Sequence, residues 1–196
     1  MFKLNYNFFS MSVFITDMNK LINSINFVYS DLNEKFQVVE FSSLNNKKIN
    51  DFIDPKLGGK HFPKFAIWEI NNDFNFVFFA SNYEDGLHNL TRRIASQISC
   101  DYIDFVLSNC SKYPKFLYRR YRKDKGERVI QLLKDYKWEF NEFGEILQYE
   151  DIRNYKKNKS KRLSNELIFS YLKNEGINVE NIFNITKGFL YERISW

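Results

Sequence analysis

Apolar and polar positions follow two different periods along this chain, and the switches between them predict its elements. Phe8–Ile15 is nearly continuous in apolar residues and reads as a strand, at an edge or second in the sheet. Thr16 or Asp17 can cap a helix that runs to about Tyr29, with Leu21, Ile22, Ile25 and Val28 on its inner face. Phe36–Phe41 is a β-rich run. Residues 42–63 are polar, hold Pro55, Gly58, Gly59 and Pro63, and predict a long surface loop with one helical turn at 49–53.

The pattern is clearest over residues 64–98. Phe65, Ile67, Trp68 and Ile70 face Phe74, Phe76, Val77, Phe78 and Phe79 across Asn71-Asn72-Asp73. Asn and Asp tolerate the positive φ of hairpin turns, so this is strand, turn, strand. Residues 76–80 are apolar without interruption, as expected of a central strand covered on both faces. A helix over 85–98 follows, with Leu87, Leu90, Ile94 and Ile98 on one stripe and Arg92, Arg93 and Gln97 largely off it.

Further on, residues 102–107 form a strand. Residues 116–121 and 129–133 form a hairpin closed through Lys123-Asp124-Lys125-Gly126, and a short strand opens at Trp138 and ends at Gly144. A helix begins over 150–155, and a clearer one covers 164–174, with Leu167, Ile168, Tyr171 and Leu172 inward and Gly176 at its C-cap. Residues 177–196 form a terminal segment with Ile182, Phe183, Ile185, Phe189 and Leu190 to bury. The sum is one α+β domain over 1–196: a mostly antiparallel central sheet with helices packed on it, and a helical C-terminal portion from about residue 150.

Composition changes this picture little. The chain has 196 residues, 44% hydrophobic and 27% charged, within the range of a soluble globule. With 21 Phe and 12 Tyr, the core is expected to be aromatic. No apolar run is long enough to cross a membrane, and the apolar start is broken by Asn and Ser without a small-residue cleavage site. A cytoplasmic protein without a membrane partner is expected. Cys100 and Cys110 have no metal-ligand spacing and read as buried free thiols.

Charge is more informative. The net charge of +5 is mild, but residues 112–128 hold eight basic and two acidic residues, +6 locally, interleaved with Tyr113, Phe116, Tyr118 and Tyr121. Guanidinium groups pair with phosphates and rings stack on bases, so the stretch suits single-stranded nucleic acid. The plainer reading is a solvated hairpin, basic side chains outward and aromatics inward. Strand alternation puts Arg119 and Tyr121 on one face, and Tyr118, Arg120 and Arg122 on the other. A second basic run, Arg153, Lys156, Lys157, Lys159, Lys161 and Arg162, reads as a solvated helix face or linker that an acidic partner could use.

Catalytic signals are sparse. His88 follows Glu84, Asp85 and Gly86 near the hand-over from central strand to helix, where a Glu–His pair could do acid–base work. No nucleophile signature, Gly-rich phosphate loop or metal spacing accompanies it. No catalytic residue, metal or cofactor is assigned. Trp68 and Trp138 read as sheet packing, and Trp196 ends the sequence.

One pattern carries a resemblance. It comprises Arg128-Val129, Lys134-Asp135, Trp138-Glu139-Phe140, Gly144-Glu145, Tyr149-Glu150-Asp151, Tyr155-Lys156-Lys157, Lys161-Arg162-Leu163 and Tyr171, with residues 79–86 (FASNYEDG) upstream. About half the chain thereby resembles small bacterial immunity proteins encoded beside polymorphic or contact-dependent growth-inhibition toxins. The resemblance implies a non-enzymatic protein that neutralises a cognate toxin by binding it, and transfers no contact residues. Charge complementarity adds an expectation: an acidic patch on the toxin meeting Arg119, Arg120, Arg122, Lys123 and Lys125. Nucleic-acid binding through residues 112–128 is the alternative.

Overall fold

A computed structural model describes residues 7–31, 35–42, 52–54, 61–70 and 75–194. The predicted turn at Asn71-Asn72-Asp73, most of the 42–63 loop with all but the last two residues of its helical turn, and Trp196 lie outside the described residues.

The chain forms an α+β fold around a nine-stranded sheet in which every pairing is antiparallel. The strands are β1 (Phe8–Ile15), β2 (Phe36–Phe41), β3 (Lys64–Ile70), β4 (Phe76–Ser81), β5 (Asp101–Ser108), β6 (Lys115–Arg122), β7 (Gly126–Lys134), β8 (Trp138–Phe143) and β9 (Ile185–Arg193). Their order is β2-β9-β3-β4-β1-β5-β6-β7-β8. Strand β1, expected at or beside an edge, is central, between β4 and β5. Its uninterrupted apolar run fits that place, since both of its faces are covered.

Three α-helices lie among the described residues: α1 (Met18–Asp31), α2 (His88–Gln97) and α3 (Asn165–Asn174). Helices α1 and α2 cover one face, packing Leu21, Ile25, Val28, Ile94 and Ala95 on Phe14, Phe65, Ile67, Phe79 and Tyr102. Asp17 caps α1, its Oδ1 accepting from the Lys20 N–H at 2.9 Å. Helix α2 starts three residues later than its apolar stripe suggested. Leu87 sits in the left-handed region at φ 56, and Asp85 Oδ1 takes the Leu87 N–H at 3.0 Å, so 84–87 are spent on a turn.

The opposite face is covered by residues 145–184. Ile168, Tyr171 and Leu172 of α3, with Leu147, Leu163, Ile177 and Ile182, pack on Met11, Trp68, Phe78, Phe105, Tyr118 and Ile130. Ser164 caps α3 by accepting from the Leu167 N–H, and Gly176 ends it at φ 85. The helix expected over 150–155 is instead a pair of 3-10 turns, Ile152–Lys156 and Lys159–Lys161. The terminal segment then supplies a strand that the sequence reading missed: β9 inserts between β2 and β3. Gly188 makes this possible. A Cβ there would lie 2.3 Å from the Phe41 ring and 2.8 Å from the Ile67 carbonyl.

Candidate functional site

The β6–β7 hairpin brings together most of the basic side chains singled out in the sequence, and its pleat separates them as expected. Arg119 and Tyr121 share the α1/α2 face, Tyr121 stacking on Tyr102 at 5.1 Å. Tyr118 and Arg120 share the α3 face.

Their charge is largely met from within the fold. Arg119 lies opposite Asp104 on β5 and donates to it at 3.1 Å. Asp104 is fully buried, and Ser12 Oγ donates to its other oxygen at 2.6 Å. Arg119 Nε is also 3.1 Å from Glu127, near enough for an ion pair though out of line for a hydrogen bond, and Arg92 of α2 reaches the same carboxylate at 3.1 Å. On the other face, Arg120 and Arg128 are directly opposite each other in the β6–β7 register. Two like charges so placed repel, and each is matched by carboxylates. Arg120 donates to Asp101 at 3.2 Å and Glu175 at 3.1 Å. Arg128, 2% exposed, holds the fully buried carboxylate of Glu150 through Nε at 2.9 Å and Nη2 at 2.7 Å, and also bonds Glu142. Burial works against the Arg128 charge, but the hydrogen bonds it donates to Glu150 and Glu142 outweigh it and raise its pKa.

Four tyrosines complete this inner network. Tyr118 and Tyr149 share a hydrogen bond at 2.7 Å, Tyr149 donates to Glu175, and Tyr155 donates to Glu150 and lies 3.5 Å from Tyr171. Burial raises the pKa of all four. Together they bind the 145–176 segment to β6 and β7.

At the hairpin tip the situation differs. Lys123 is exposed and has no carboxylate within salt-bridge distance among the described residues. Arg122 and Lys125 approach Glu145 at 3.5 and 3.9 Å. Of the five residues expected to meet a partner, Arg119 and Arg120 are thus committed to internal ion pairs, while Arg122, Lys123 and Lys125 cluster at one end of the sheet. The second basic run is more available. Lys156, Lys157, Lys159 and Lys161 are all exposed and outside salt-bridge distance of any described carboxylate; Lys157 donates only to Asn154 at 2.6 Å. Arg153 pairs with Asp151 at 2.8 Å, and Arg162 lies over the Phe140 ring at 5.1 Å.

His88 sits at the start of α2, largely enclosed. Desolvation lowers its pKa, against the pull of Asp104 and Asp85 and with the help of Arg119 and Lys115. Its Nε2 is buried without a hydrogen-bond partner among the described residues, as is the Tyr102 hydroxyl. Of the two carboxylates beside it in sequence, Asp85 accepts from the Leu87 N–H, and Glu84, the expected partner, presents its main-chain carbonyl to Ser10 Oγ at 2.6 Å. His61 lies against the Tyr83 ring, tilted, at 4.3 Å and is 3.2 Å from the Asn82 carbonyl. Cys100 is buried, its thiol pKa pushed up to about 12 by desolvation; Cys110 is half-buried, and its sulfur accepts from the Tyr113 N–H. Trp68 is fully buried and donates to the Ile182 carbonyl at 2.6 Å, and Trp138 is half-buried beneath Lys134. No group of three or more metal-ligating side chains occurs among the described residues. No helix among them is long and apolar enough to cross a membrane.

No family model, curated protein or solved structure matches this chain.

Proposed function

We propose that this protein is a non-enzymatic binding protein that neutralises a cognate bacterial toxin, acting as an immunity protein in the cytoplasm. The observation carrying this reading is the distribution of cations. Those facing the core are met by buried or half-buried carboxylates, whereas Lys123 and Lys125 of the hairpin tip and the lysines of residues 156–161 stand in solvent. Such an outer charge set accelerates encounter with an acidic protein surface and disfavours wrong partners. The contact surface on this reading includes Arg122, Lys123 and Lys125, with Arg119 and Arg120 stiffening the strand that carries them.

The nucleic-acid alternative relies on rings as well as charge. Tyr118 is fully buried and one face of Tyr121 is taken by Tyr102, which leaves Tyr113 as the exposed ring of the stretch, with Lys112 over it. This weighs toward a protein partner. The test is to co-express the chain with the toxin domain encoded beside it, measure growth, and follow association of the purified pair at two salt concentrations. Protection, one-to-one binding that weakens with salt, and slower association of an R122E/K123E/K125E variant are expected. Growth inhibition unchanged by the intact chain refutes the reading. Anisotropy with single-stranded DNA and RNA under the same conditions checks the alternative, since phosphate-dominated binding falls steeply as salt rises.

A further inference from the structure

Strand β8 ends the sheet. It pairs with β7 from Trp138↔Lys134 to Phe143↔Val129 with no bulge, and no strand lies on its outer side among the described residues. Natural edge strands are commonly blunted by proline, lysine or a bulge. β8 reads WEFNEF and has none of these; of its two charges, Glu142 is tied down by Arg128 and Glu139 lies on the opposite face. Its outward backbone groups therefore offer a template for another strand.

A cationic ridge runs along one side of this edge. The 3-10 turns at 152–161 pack on the face of β8 that carries Trp138, Phe140 and Glu142: Tyr155 meets the Phe140 ring at 5.3 Å, and Lys159–Lys161 lie against the strand. This puts Lys156, Lys157, Lys159 and Lys161, none of them in an ion pair with a described carboxylate, beside it. Glu142 cannot neutralise them, because it is held by Arg128. On the other face the edge presents Glu139, Asn141 and Phe143, the last 54% exposed.

From this juxtaposition we infer that β8 is the docking edge for an extended, acidic segment of a protein partner, added as a tenth strand. Its acidic side chains alternate toward the lysine ridge, and its intervening apolar ones lie toward Phe143. Main-chain hydrogen bonds supply affinity and the ridge supplies selectivity. A second copy of this chain is a poorer occupant. Antiparallel pairing of two β8 edges about a two-fold axis keeps like faces on the same side, which brings two lysine ridges together. The inference rests on the reading that the protein works by binding another protein, and it names where.

The test uses the full chain and two synthetic peptides matched in length to β8. One alternates Val and Thr with Glu; the other has Lys in place of Glu. Affinity is measured by anisotropy, and backbone protection by hydrogen–deuterium exchange. The Glu peptide is expected to bind, to slow exchange at Trp138–Phe143, and to lose about tenfold or more in affinity in a K156E/K157E/K159E/K161E variant, whose four substitutions are at exposed positions. Exchange over β8 unchanged at saturating peptide, no binding at low salt, or equal binding of the Lys peptide overturns the inference. Oligothymidine binding that depends on the four lysines and leaves β8 exchange unchanged overturns it too, and assigns the ridge to a polyanion. Any of these failures leaves toxin protection by the intact chain as a separate measurement, so the site and the function can fail independently.

Discussion

Arg128 shows how little of a charged residue's role its sequence neighbourhood reveals. In sequence it is one of eight basic residues in seventeen. In space it is the most deeply buried cation described, tied to Glu150 by two nitrogens and to Glu142 by a third. Breaking a buried pair from one side costs about 3–5 kcal/mol, because the orphaned charge cannot reach water. Arg128→Ala is therefore expected to remove that much of a total of about 5–15 kcal/mol, measured by urea unfolding. Adding Glu150→Gln should recover part of the loss by removing the stranded charge, although the Leu147 N–H and Tyr155 hydroxyl also lose a charged acceptor. A loss for Arg128→Ala like that of a surface lysine would show that the network is not closed. Alternation placed Arg119 and Arg120 on opposite faces correctly. It could not show that Asp101, Asp104, Glu150 and Glu175, up to 55 residues away in sequence, would neutralise the two arginines and their neighbour.

At the scale of elements, local pattern and tertiary pairing parted company at β9. The hairpins β3–β4 and β6–β7 were legible because each pairs with its neighbour in sequence and carries its own turn chemistry. The segment ITKGFLYER carries a glycine and mixed polar positions, and its partners β2 and β3 lie more than a hundred residues upstream. Nothing local distinguishes it from a terminal coil. The glycine that weakens its strand signal is the residue the fold requires there. Opposite Gly188 stand Phe41 on one side and Trp68 on the other, and no side chain fits between the Phe41 ring and the Ile67 carbonyl. Gly188→Val, favourable by strand propensity, is expected to destabilise by about 1–3 kcal/mol through overpacking. Exchange protection should be lost first in β2, whose one described partner is β9. A neutral or stabilising Gly188→Val would mean that β9 sits less tightly than the register implies. The 3-10 turns at 152–161 failed to read as such for a related reason. Their basic run has good helix propensity, while Phe140, Tyr155 and the Glu150–Arg128 pair hold the backbone down on β7 and β8.

Across the whole molecule, the aromatic bias that looked like bulk core material proves to be partly a polar framework. Burial raises the pKa of Tyr102, Tyr118, Tyr149, Tyr155, Tyr171 and Tyr191, with Tyr102 and Tyr191 pushed up to about 12. The sign of the consequence is fixed. A group whose folded pKa lies above its unfolded value of 10.0 contributes stability that is complete below pH 10 and is lost as pH rises through the folded value. Each proton released only on unfolding tilts the balance by about 1.4 kcal/mol per pH unit. Tyr118, fully buried, carries that slope over a wide pH range, and the half-buried Tyr149 and Tyr155 carry it over a shorter one because solvent screens them. Even so, several such groups acting together outrun a marginal stability within about two pH units. Alkaline unfolding above pH 10 is therefore expected to be cooperative, with tyrosinate absorbance rising where circular dichroism collapses. The contact joining the 145–176 segment to β6 depends on the same hydroxyls, through the Tyr118–Tyr149–Glu175 chain. Tyr149→Phe should make this transition shallower by removing one coupled group. Smooth titration of all twelve tyrosines near pH 10 with the sheet intact would show that these hydroxyls face water, and would dissolve the framework on which the rigid placement of β8 and its lysine ridge relies.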